Sequence, residues 1–483
     1  MSKHDLQLPA EQPAIEDKRL HSAATFLDFP RQEIAQSIPG RLESIVRQHG
    51  ERIALIAANH DSLTHAGLYE QVTHTVKRLN DLGIGRGDRV AFVMSNGLPM
   101  AVAFLAIAAG VTCAPINPAL RQQEFELIFS DLGPKALVVE SGTDTAALAA
   151  AQRASIPIIE LSAAARSGIG QLSLHGEIFA PTAQLGFARS DDVALMLFTS
   201  GTTARPKLVP LTHANLLASA HNIAATLELS PDDRCLNVMP LFHIHGLIGG
   251  LLASLVSGGS VVCPPGFNAP QFFDWLKEFQ PTWYSAVPTM HQLILSRAQA
   301  NVEILRKHPL RFIRSSSAAL PSRVMENLEK IFAAPVIESY GMTEATHQMA
   351  SNPLPPRFRK PGSVGKAAGP EVAIMDELGN FQSAGTIGEI VIRGANVMAG
   401  YRNSGNANAK AFTQGWFRTG DQGYLDNDGY LFVTGRIKEL INRGGEKISP
   451  REIDDVLLAH PAVAQAVAFA VSHATLGEDV VVA

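Results

Sequence analysis

The stretch LMLFTSGTTARPKLVPLTHANL, residues 195–216, decides how the rest of the chain is interpreted. An apolar segment, residues 194–198, is typical of a buried strand and leads into five consecutive hydroxyl or glycine residues, 199–203. Lys207 follows, and a helix is predicted to begin at Thr212. Small residues leave backbone N–H groups open to close approach, and a lysine adds a mobile positive charge. The stretch therefore predicts a loop that binds polyphosphate.

This loop differs from a Walker A loop, although its spacing is similar. Pro206 stands where the second glycine of that loop would lie, and Leu208 follows the lysine in place of serine or threonine. For this stretch alone, a polar turn with an unrelated lysine remains the alternative.

Composition limits the class of protein. The chain has 483 residues, of which 46% are hydrophobic and 18% charged, and its net charge is −5. These values predict a globular protein of more than one domain and argue against nucleic acid as a partner. Three cysteines without a C-x-x-C pair predict reduced, structural thiols and a cytoplasmic location. No apolar run is long enough for a membrane span, and residues 101–114 predict a buried helix followed by a strand.

Strand and helix patterns alternate around the loop. Short apolar runs such as RVAFVMS (89–95) and GVTCAPIN (110–117) flank a helical pattern. They predict an α/β fold with layered, mostly parallel sheets, whereas the Gly, Asn and Asp turns of residues 371–435 predict a β-rich subdomain. A small α+β domain is expected to follow. The predicted domains are a loosely ordered leader (1–37), a large domain (38–435) and the incomplete first part of a small C-terminal domain (436–483).

TSGTTARPK, residues 199–207, resembles the signature of the adenylate-forming superfamily, which includes acyl-CoA synthetases, luciferases and adenylation domains of peptide synthetases. Ala204 and Leu208 depart from it, since glycines are common at both places. Further blocks match the superfamily in the same order from about residue 40 to the end. They are SSSAAL (315–320), ESYGMTEAT (338–346), WFRTGD (416–421) and TGRIKELINRGGEKISPREID (434–454). The resemblance implies an ATP-dependent ligase that joins a carboxylic acid to coenzyme A through an acyl-AMP intermediate.

The same resemblance implies roles for individual residues. Tyr340 would be a flat platform for adenine, Asp421 would accept hydrogen bonds from ribose, and Glu344 would ligate Mg²⁺ through a hard oxygen. Catalytic roles are implied for Lys207, Thr343, Glu344 and His243. Binding of ATP or coenzyme A is implied for Thr199, Ser200, Gly201, Thr202, Thr203, Lys207, Ser317, Ala318, Ala319, Glu338, Ser339, Tyr340, Gly341, Met342, Thr343, Asp421, Val433, Arg436, Gly444 and Gly445.

Each of these residues also has a purely structural interpretation. Taken singly, Tyr340 is more often a core residue, Glu344 a solvated surface residue and Asp421 the cap of a turn. Gly444 and Gly445 could form a simple turn instead of a passage for the pantetheine arm of coenzyme A. The order of the blocks favours the functional interpretation.

The segments expected to form the acid pocket are rich in histidine. They carry His243, His245, His291 and His347, together with the bulky Trp283 and Tyr284. Imidazole donors between large rings favour a small polar acid, including a dianion, over a long fatty chain. For any single histidine a structural role remains the alternative, above all for His291 in the middle of a predicted helix.

WYSAVPTMHQ (283–292), ATHQMASNPLP (345–355) and LINRGGEKISP (440–450) resemble segments of the oxalate–CoA ligase group. This implies oxalate as the acid. The substrate-binding residues are then expected to be His243, His245, Ser285, Arg314 and His347. The alternatives are a ligase for another short or aromatic acid, an adenylation domain that serves a carrier protein, and a nucleotide-binding protein without activity.

One residue of the superfamily pattern is expected to be missing. In the superfamily, a late lysine bridges the carboxylate and the phosphate during adenylation, but no lysine follows Lys447 in this sequence. We therefore expect slow adenylation and retained binding of nucleotide from the sequence as it stands.

Overall fold

The computed structural model describes residues 36–163, 172–177, 179–182, 184–199, 206–458, 460, 462–463 and 466–483. The α-helices of this part of the chain are α1 (Ile38–His49), α2 (His65–Asp81), α3 (Leu98–Ala108), α4 (Gln122–Leu132), α5 (Ala146–Arg153), α6 (His213–Thr226), α7 (Ala253–Val256), α8 (Phe272–Phe279), α9 (Pro288–Ala298), α10 (Val302–Lys307), α11 (Ser322–Phe332), α12 (Gly405–Ala411) and α13 (Pro450–Leu458). A π-helix, His245–Leu252, runs directly into α7, and 3₁₀ turns occupy Gln299–Asn301, Thr343–Ala345 and Ile437–Glu439.

The largest sheet has nine strands in the order β16-β15-β14-β13-β12-β10-β11-β1-β2. Its strands are β1 (Ile53–Ala57), β2 (Ser62–Thr64), β10 (Arg234–Leu236), β11 (Ser260–Cys263), β12 (Trp283–Ala286), β13 (Phe312–Ser315), β14 (Val336–Met342), β15 (His347–Ser351) and β16 (Lys366–Ala367). The strands from β14 through β1 pair in parallel, whereas β15, β16 and β2 pair antiparallel at the two sides.

A second sheet has seven strands in the order β7-β6-β5-β3-β4-β8-β9 and is also mostly parallel. Its strands are β3 (Arg89–Val93), β4 (Thr112–Pro115), β5 (Ala136–Glu140), β6 (Ile158–Ala163), β7 (Leu172–Gly176), β8 (Val193–Thr199) and β9 (Lys207–Thr212). The two sheets confirm the predicted α/β fold.

Two antiparallel sheets follow in the second half of the chain. The five-stranded sheet contains β17 (Glu371–Met375), β18 (Gly388–Arg393), β19 (Phe412–Thr413), β20 (Trp416–Leu425) and β21 (Leu431–Arg436). The four-stranded sheet contains β22 (Ile441–Arg443), β23 (Glu446–Ile448), β24 (Ala468–His473) and β25 (Gly477–Val482). The first of them confirms the β-rich subdomain. The predicted domain boundary, between residues 435 and 436, falls at the last residue of β21 and stays a prediction. The leader also stays a prediction, and its residues 1–35 lie outside the described part.

Helix α3 lies at the centre of the main hydrophobic core. Its residues are buried and almost entirely apolar, which is typical of a helix covered on all sides. The same core cluster contains Leu55 and Val261 of the nine-stranded sheet and Val90 and Leu195 of the seven-stranded sheet. Helix α3 followed by β4 confirms the prediction made for residues 101–114. No helix in the described ranges is long and apolar enough to span a bilayer.

This arrangement brings strand ends from different parts of the sequence together. In open sheets, ligands bind beyond the carboxyl ends of parallel strands. Strands β12, β13 and β14 are neighbours, and Ser285, Arg314 and Ile337 occupy successive register positions across them. The candidate site is therefore expected beyond this edge of the sheet.

Replacing Leu105 of α3 by alanine should lower the free energy of unfolding by about 2–5 kcal/mol, because the side chain is fully buried between the sheets. Leu127→Ala is the matched control, since Leu127 on α4 is 58% exposed. Urea denaturation followed by circular dichroism measures both variants. Equal losses of stability would contradict the position assigned to α3.

Candidate functional site

Thr199 and Lys207 are the two described ends of the predicted phosphate loop. Thr199 is the last residue of β8, Lys207 is the first residue of β9, and the two residues pair directly across the antiparallel ladder. Ser200, Gly201, Thr202 and Thr203 lie outside the described residues. The strand predicted for residues 194–198 is confirmed as β8.

Glu344, Tyr401 and Lys207 form one cluster beside these strands. The Tyr401 hydroxyl donates to Glu344 Oε1 at 2.8 Å, and the Lys207 ammonium lies 4.4 Å from the centre of the Tyr401 ring. Burial raises the pKa of the Glu344 carboxyl, while the Tyr401 hydrogen bond and the Lys207 charge act in the opposite direction. Tyr401 thus contacts both the Glu344 carboxyl and the Lys207 ammonium, and these two groups form no direct ion pair with each other.

Tyr401 lies outside the motifs from which the site was predicted. The Asn408 side chain fixes the Tyr401 backbone, because it accepts a hydrogen bond from Tyr401 N at 2.7 Å and donates one to Tyr401 O at 2.8 Å. The segment around it is fixed to both parts of the cluster, since Met398 N donates to Glu344 O and Arg402 N donates to Leu208 O. A tyrosine in a turn carries no sequence signal for a metal or a phosphate, so only the fold identifies it.

The predicted Mg²⁺ site rests on a single protein ligand, Glu344. No group of three or more His, Cys, Asp or Glu residues that could hold a metal ion occurs in the described ranges. A single buried carboxylate suits Mg²⁺, which is usually held by one or two carboxylates together with phosphate oxygens and water. The residues therefore fit a cation that arrives with a nucleotide.

Tyr340 and Asp421 come together from different sheets. The Tyr340 hydroxyl donates to Asp421 Oδ2, and Arg436 Nε lies 3.3 Å from Asp421 Oδ1. Burial raises the pKa of Asp421, and burial together with the Asp421 charge raises that of Tyr340. An aromatic face next to a carboxylate and a guanidinium can receive a base and its ribose.

Other residues predicted to contact the nucleotide lie on the elements that carry this pair or on neighbouring ones. Ser317, Ala318 and Ala319 form an exposed turn after β13. Glu338, Ser339, Gly341 and Met342 lie on β14, and half-buried Val433 lies on β21 opposite Gly423. Thr343 begins the 3₁₀ turn that carries Glu344.

Gly444 and Gly445 form the turn between β22 and β23. Their φ angles are 62° and 100°, in the left-handed region that favours glycine. Gly444 N donates to Leu476 O at 2.8 Å, which ties the turn to the residue that precedes β25. The positive φ angles explain why glycine occupies both positions. Contact of these glycines with coenzyme A stays a prediction.

A cavity of about 350 Å³ opens next to Thr343 and contains three of the four predicted histidines. It is lined by Leu197, Phe198, Met239, Phe242, His243, Ile244, His245, Val287, Ser317, Gly341, Met342, Thr343 and His347. His243 is one of these lining residues, and partial desolvation lowers its pKa. Burial lowers the pKa of His245 and His347 well below the ordinary value, so both rings are neutral at physiological pH.

The inner wall of the cavity is a polar network. His245 Nε2 lies 2.6 Å from Ser285 Oγ, and its Nδ1 lies 3.0 Å from Ser317 Oγ. Arg314 Nη1 donates to His347 Nε2 at 2.9 Å. Ser285 and Arg314 do not line the cavity and lie behind the two histidines. Each is hydrogen-bonded to one of these histidines, and their contact with the acid stays a prediction.

Trp283 and Tyr284 also differ from the expectation, because neither ring lines the cavity. Both are fully buried; Trp283 stacks on Phe312 and Tyr284 packs edge-on against Phe272. Strand β12 is covered on both faces, so successive side chains enter two different cores. His291 lies on α9 with Nδ1 3.1 Å from the Tyr284 hydroxyl, outside the cavity lining. Phe198 and Phe242 supply the aromatic wall instead.

Comparison with known proteins places this geometry in a family. The AMP-binding enzyme family profile matches residues 42–402. The oxalate–CoA ligase of Arabidopsis thaliana is 45% identical over 453 residues, covering 92% of this chain and 88% of the relative. The oxalate–CoA ligase of Saccharomyces cerevisiae is 45% identical over 421 residues, covering 82% and 77%.

Solved structures agree in fold. ATP-bound MatB from Rhodopseudomonas palustris superposes with a TM-score of 0.82 at 28% identity, covering 92% of this chain and 88% of that one. The o-succinylbenzoate coenzyme A synthetase (MenE) of Bacillus subtilis, in complex with ATP and magnesium ion, gives a TM-score of 0.76 at 29% identity with coverage of 92% and 88%.

Tyr401→Phe should raise the Mg²⁺ concentration needed for half-maximal ATP binding about 10- to 100-fold. The substitution removes the hydroxyl donor that orients the Glu344 carboxylate. The ring that faces Lys207 remains. Titration of Mg²⁺ against ATP binding by calorimetry measures the effect without turnover. Tyr424→Phe is the control, since the Tyr424 ring stacks on Phe432 outside this cluster. An unchanged Mg²⁺ titration for Tyr401→Phe would contradict the orienting role.

Proposed function

This chain belongs to the family of AMP-binding enzymes and is an AMP-forming acid–CoA ligase, and from this premise we propose that its acid substrate is oxalate. The observation that carries the proposal is the cavity of about 350 Å³ whose inner wall is made of neutral imidazoles backed by a buried guanidinium. This volume is at the small end of ligand pockets. Oxalate–CoA ligases from a plant and a yeast at 45% identity support the same acid.

The cavity walls favour a short acid over a long one. Phe198, Met239 and Phe242 surround the space, and the histidines close its inner side. A fatty chain would have to bury its apolar tail against polar imidazoles whose hydrogen bonds would be left unmade. A second carboxylate, in contrast, accepts hydrogen bonds from such donors.

The proposed reaction has two steps. An oxygen of the oxalate carboxylate attacks the α-phosphorus of ATP, the bond to pyrophosphate breaks, and oxalyl-AMP forms. The coenzyme A thiolate then attacks the activated carbonyl carbon, and AMP leaves with the bridging oxygen. Positioning and charge neutralisation supply most of the catalysis of such transfers.

Residues of this chain have distinct roles in the proposal. Lys207 and Thr343 bind phosphate oxygens, and Glu344, held by Tyr401, would hold Mg²⁺. The cation, when bound, neutralises charge on the phosphates. His243 and His347 bind the distal carboxylate of the acid from the cavity wall.

Adenosine and coenzyme A occupy other parts of the site. Tyr340 stacks on adenine next to the turn at Ser317, and Asp421 with Arg436 binds the ribose. The pantetheine arm passes the Gly444–Gly445 turn, where the absence of side chains leaves room near the backbone.

We expect oxalate to be used at least about tenfold better than malonate, octanoate or coumarate, since the cavity offers room and donors for a two-carbon diacid. The measurement is acid-dependent release of pyrophosphate, with mass-spectrometric detection of the CoA thioester. Each acid is compared with a reaction that contains no acid. A preference for octanoate would refute oxalate as the substrate.

A further inference from the structure

Arg314 is a buried cation without a carboxylate partner in the described ranges. Its side chain is 0% exposed and donates to His347 Nε2 at 2.9 Å and to Gln348 Oε1 at 3.1 Å, both of them neutral acceptors. The Nε atom has no partner within the described part of the chain. Burial lowers the pKa to about 10, which leaves the group charged at physiological pH. Buried charges are normally paired, so this cation has an unmet need for an anion.

The nearest titratable groups do not meet this need. Burial raises the pKa of Cys235, whose thiol is neutral at physiological pH, and burial lowers the pKa of His291 to about 3. His245 and His347 are neutral for the same reason. Around Arg314, the described residues thus supply hydrogen-bond acceptors but no negative charge.

Arg314 also fixes the tautomer of His347. A guanidinium only donates hydrogen bonds, so His347 Nε2 must accept and cannot carry a proton. The ring proton is therefore on Nδ1. His347 lines the cavity, and its Nδ1 has no protein partner in the ranges that the structure describes. The Nδ1–H group is thus available as a donor to a ligand.

The His347 ring has little freedom to turn away. It stacks on the His245 ring with 4.7 Å between centroids, and His245 is itself bonded to Ser285. On another side is Gly249 of the π-helix, where an added Cβ would lie 2.6 Å from His347 Nε2 and 3.1 Å from Arg314 Nη1. Only a glycine lets the π-helix lie this close to the two side chains.

We propose that Arg314 is a positioning residue that makes this pocket selective for dianionic acids, an inference that rests on the proposed function. It does not touch the acid. It holds His347 with Nδ1–H available to the cavity, and it supplies the positive potential that a distal carboxylate neutralises. A distal group that is neutral gains the hydrogen bond but not the charge compensation.

Oxalate and oxamate test this inference, because oxamate has the same shape but carries an amide in place of the distal carboxylate. Calorimetry with a non-hydrolysable ATP analogue and Mg²⁺ measures binding of each acid without turnover. Wild type should bind oxalate more tightly than oxamate. Arg314→Met should weaken oxalate binding about 30-fold or more while oxamate changes by less than about threefold. Arg314→Lys should retain part of the preference, since it keeps the charge and loses the planar fork.

Arg234→Met is the matched control. Arg234 lies on β10 of the same sheet and donates to Phe279 O and Ser260 Oγ, away from the cavity. This variant should keep the oxalate-to-oxamate ratio of wild type. An equal loss for both acids in Arg314→Met would overturn the inference, because it would mean a merely structural role. An unchanged ratio in that variant would overturn it as well.

Arg314→Met is expected to fold, since replacing a buried charge by an apolar side chain of similar size is often neutral for stability. If it does not fold, Arg314→Gln removes the charge and keeps an amide donor for His347 Nε2. That variant should also lose preference for oxalate over oxamate, and a wild-type ratio would overturn the inference.

Failure of the proposed function is recognised separately. If wild type binds malonate and not oxalate, oxalate is wrong as the substrate, and malonate compared with malonamate in the same variants still tests Arg314. If wild type binds neutral-ended acids as tightly as diacids, the selectivity assigned to Arg314 is refuted whatever the acid.

Discussion

The close approach of β14 and β15 at Gly341 is the constraint on which both halves of the site depend. The register between the two strands shifts between Tyr340 and Gly341, and a Cβ on Gly341 would lie 1.5 Å from His347 O. His347 itself has a φ of 93°. Within this hairpin the chain passes from Tyr340, the proposed adenine platform, through Thr343 and Glu344 to His347, which is proposed to bind the acid. The residues proposed for the nucleotide and for the acid are therefore held in one hairpin.

Two buried polar clusters surround this hairpin, and each brings together residues far apart in sequence. On the phosphate side, Tyr401 joins Glu344 to Lys207. On the acid side, Arg314 is bonded to His347. Such clusters cost desolvation energy and contribute little net stability, so their presence beside a cavity is better explained by function.

Much of the fold could be predicted because its signals are local, and the residues proposed for the nucleotide were named from equally local motifs. The strand before residue 199, helix α3 and the turn at Gly444 are each encoded within a few residues. Tyr401 was missed because its partner Glu344 is 57 positions away. The rings of Trp283 and Tyr284 were assigned to the wrong surroundings, because a strand buried on both faces gives no pattern that separates cavity from core.

The most direct test is a crystal structure with oxalate, Mg²⁺ and a non-hydrolysable ATP analogue. Our account predicts one carboxylate near the nucleotide phosphates and the other hydrogen-bonded to His347 Nδ1, with Arg314 still bonded to His347 Nε2 and out of contact with the acid. Oxalate bound away from His347, or an Arg314 side chain that turns to contact the acid directly, would contradict it.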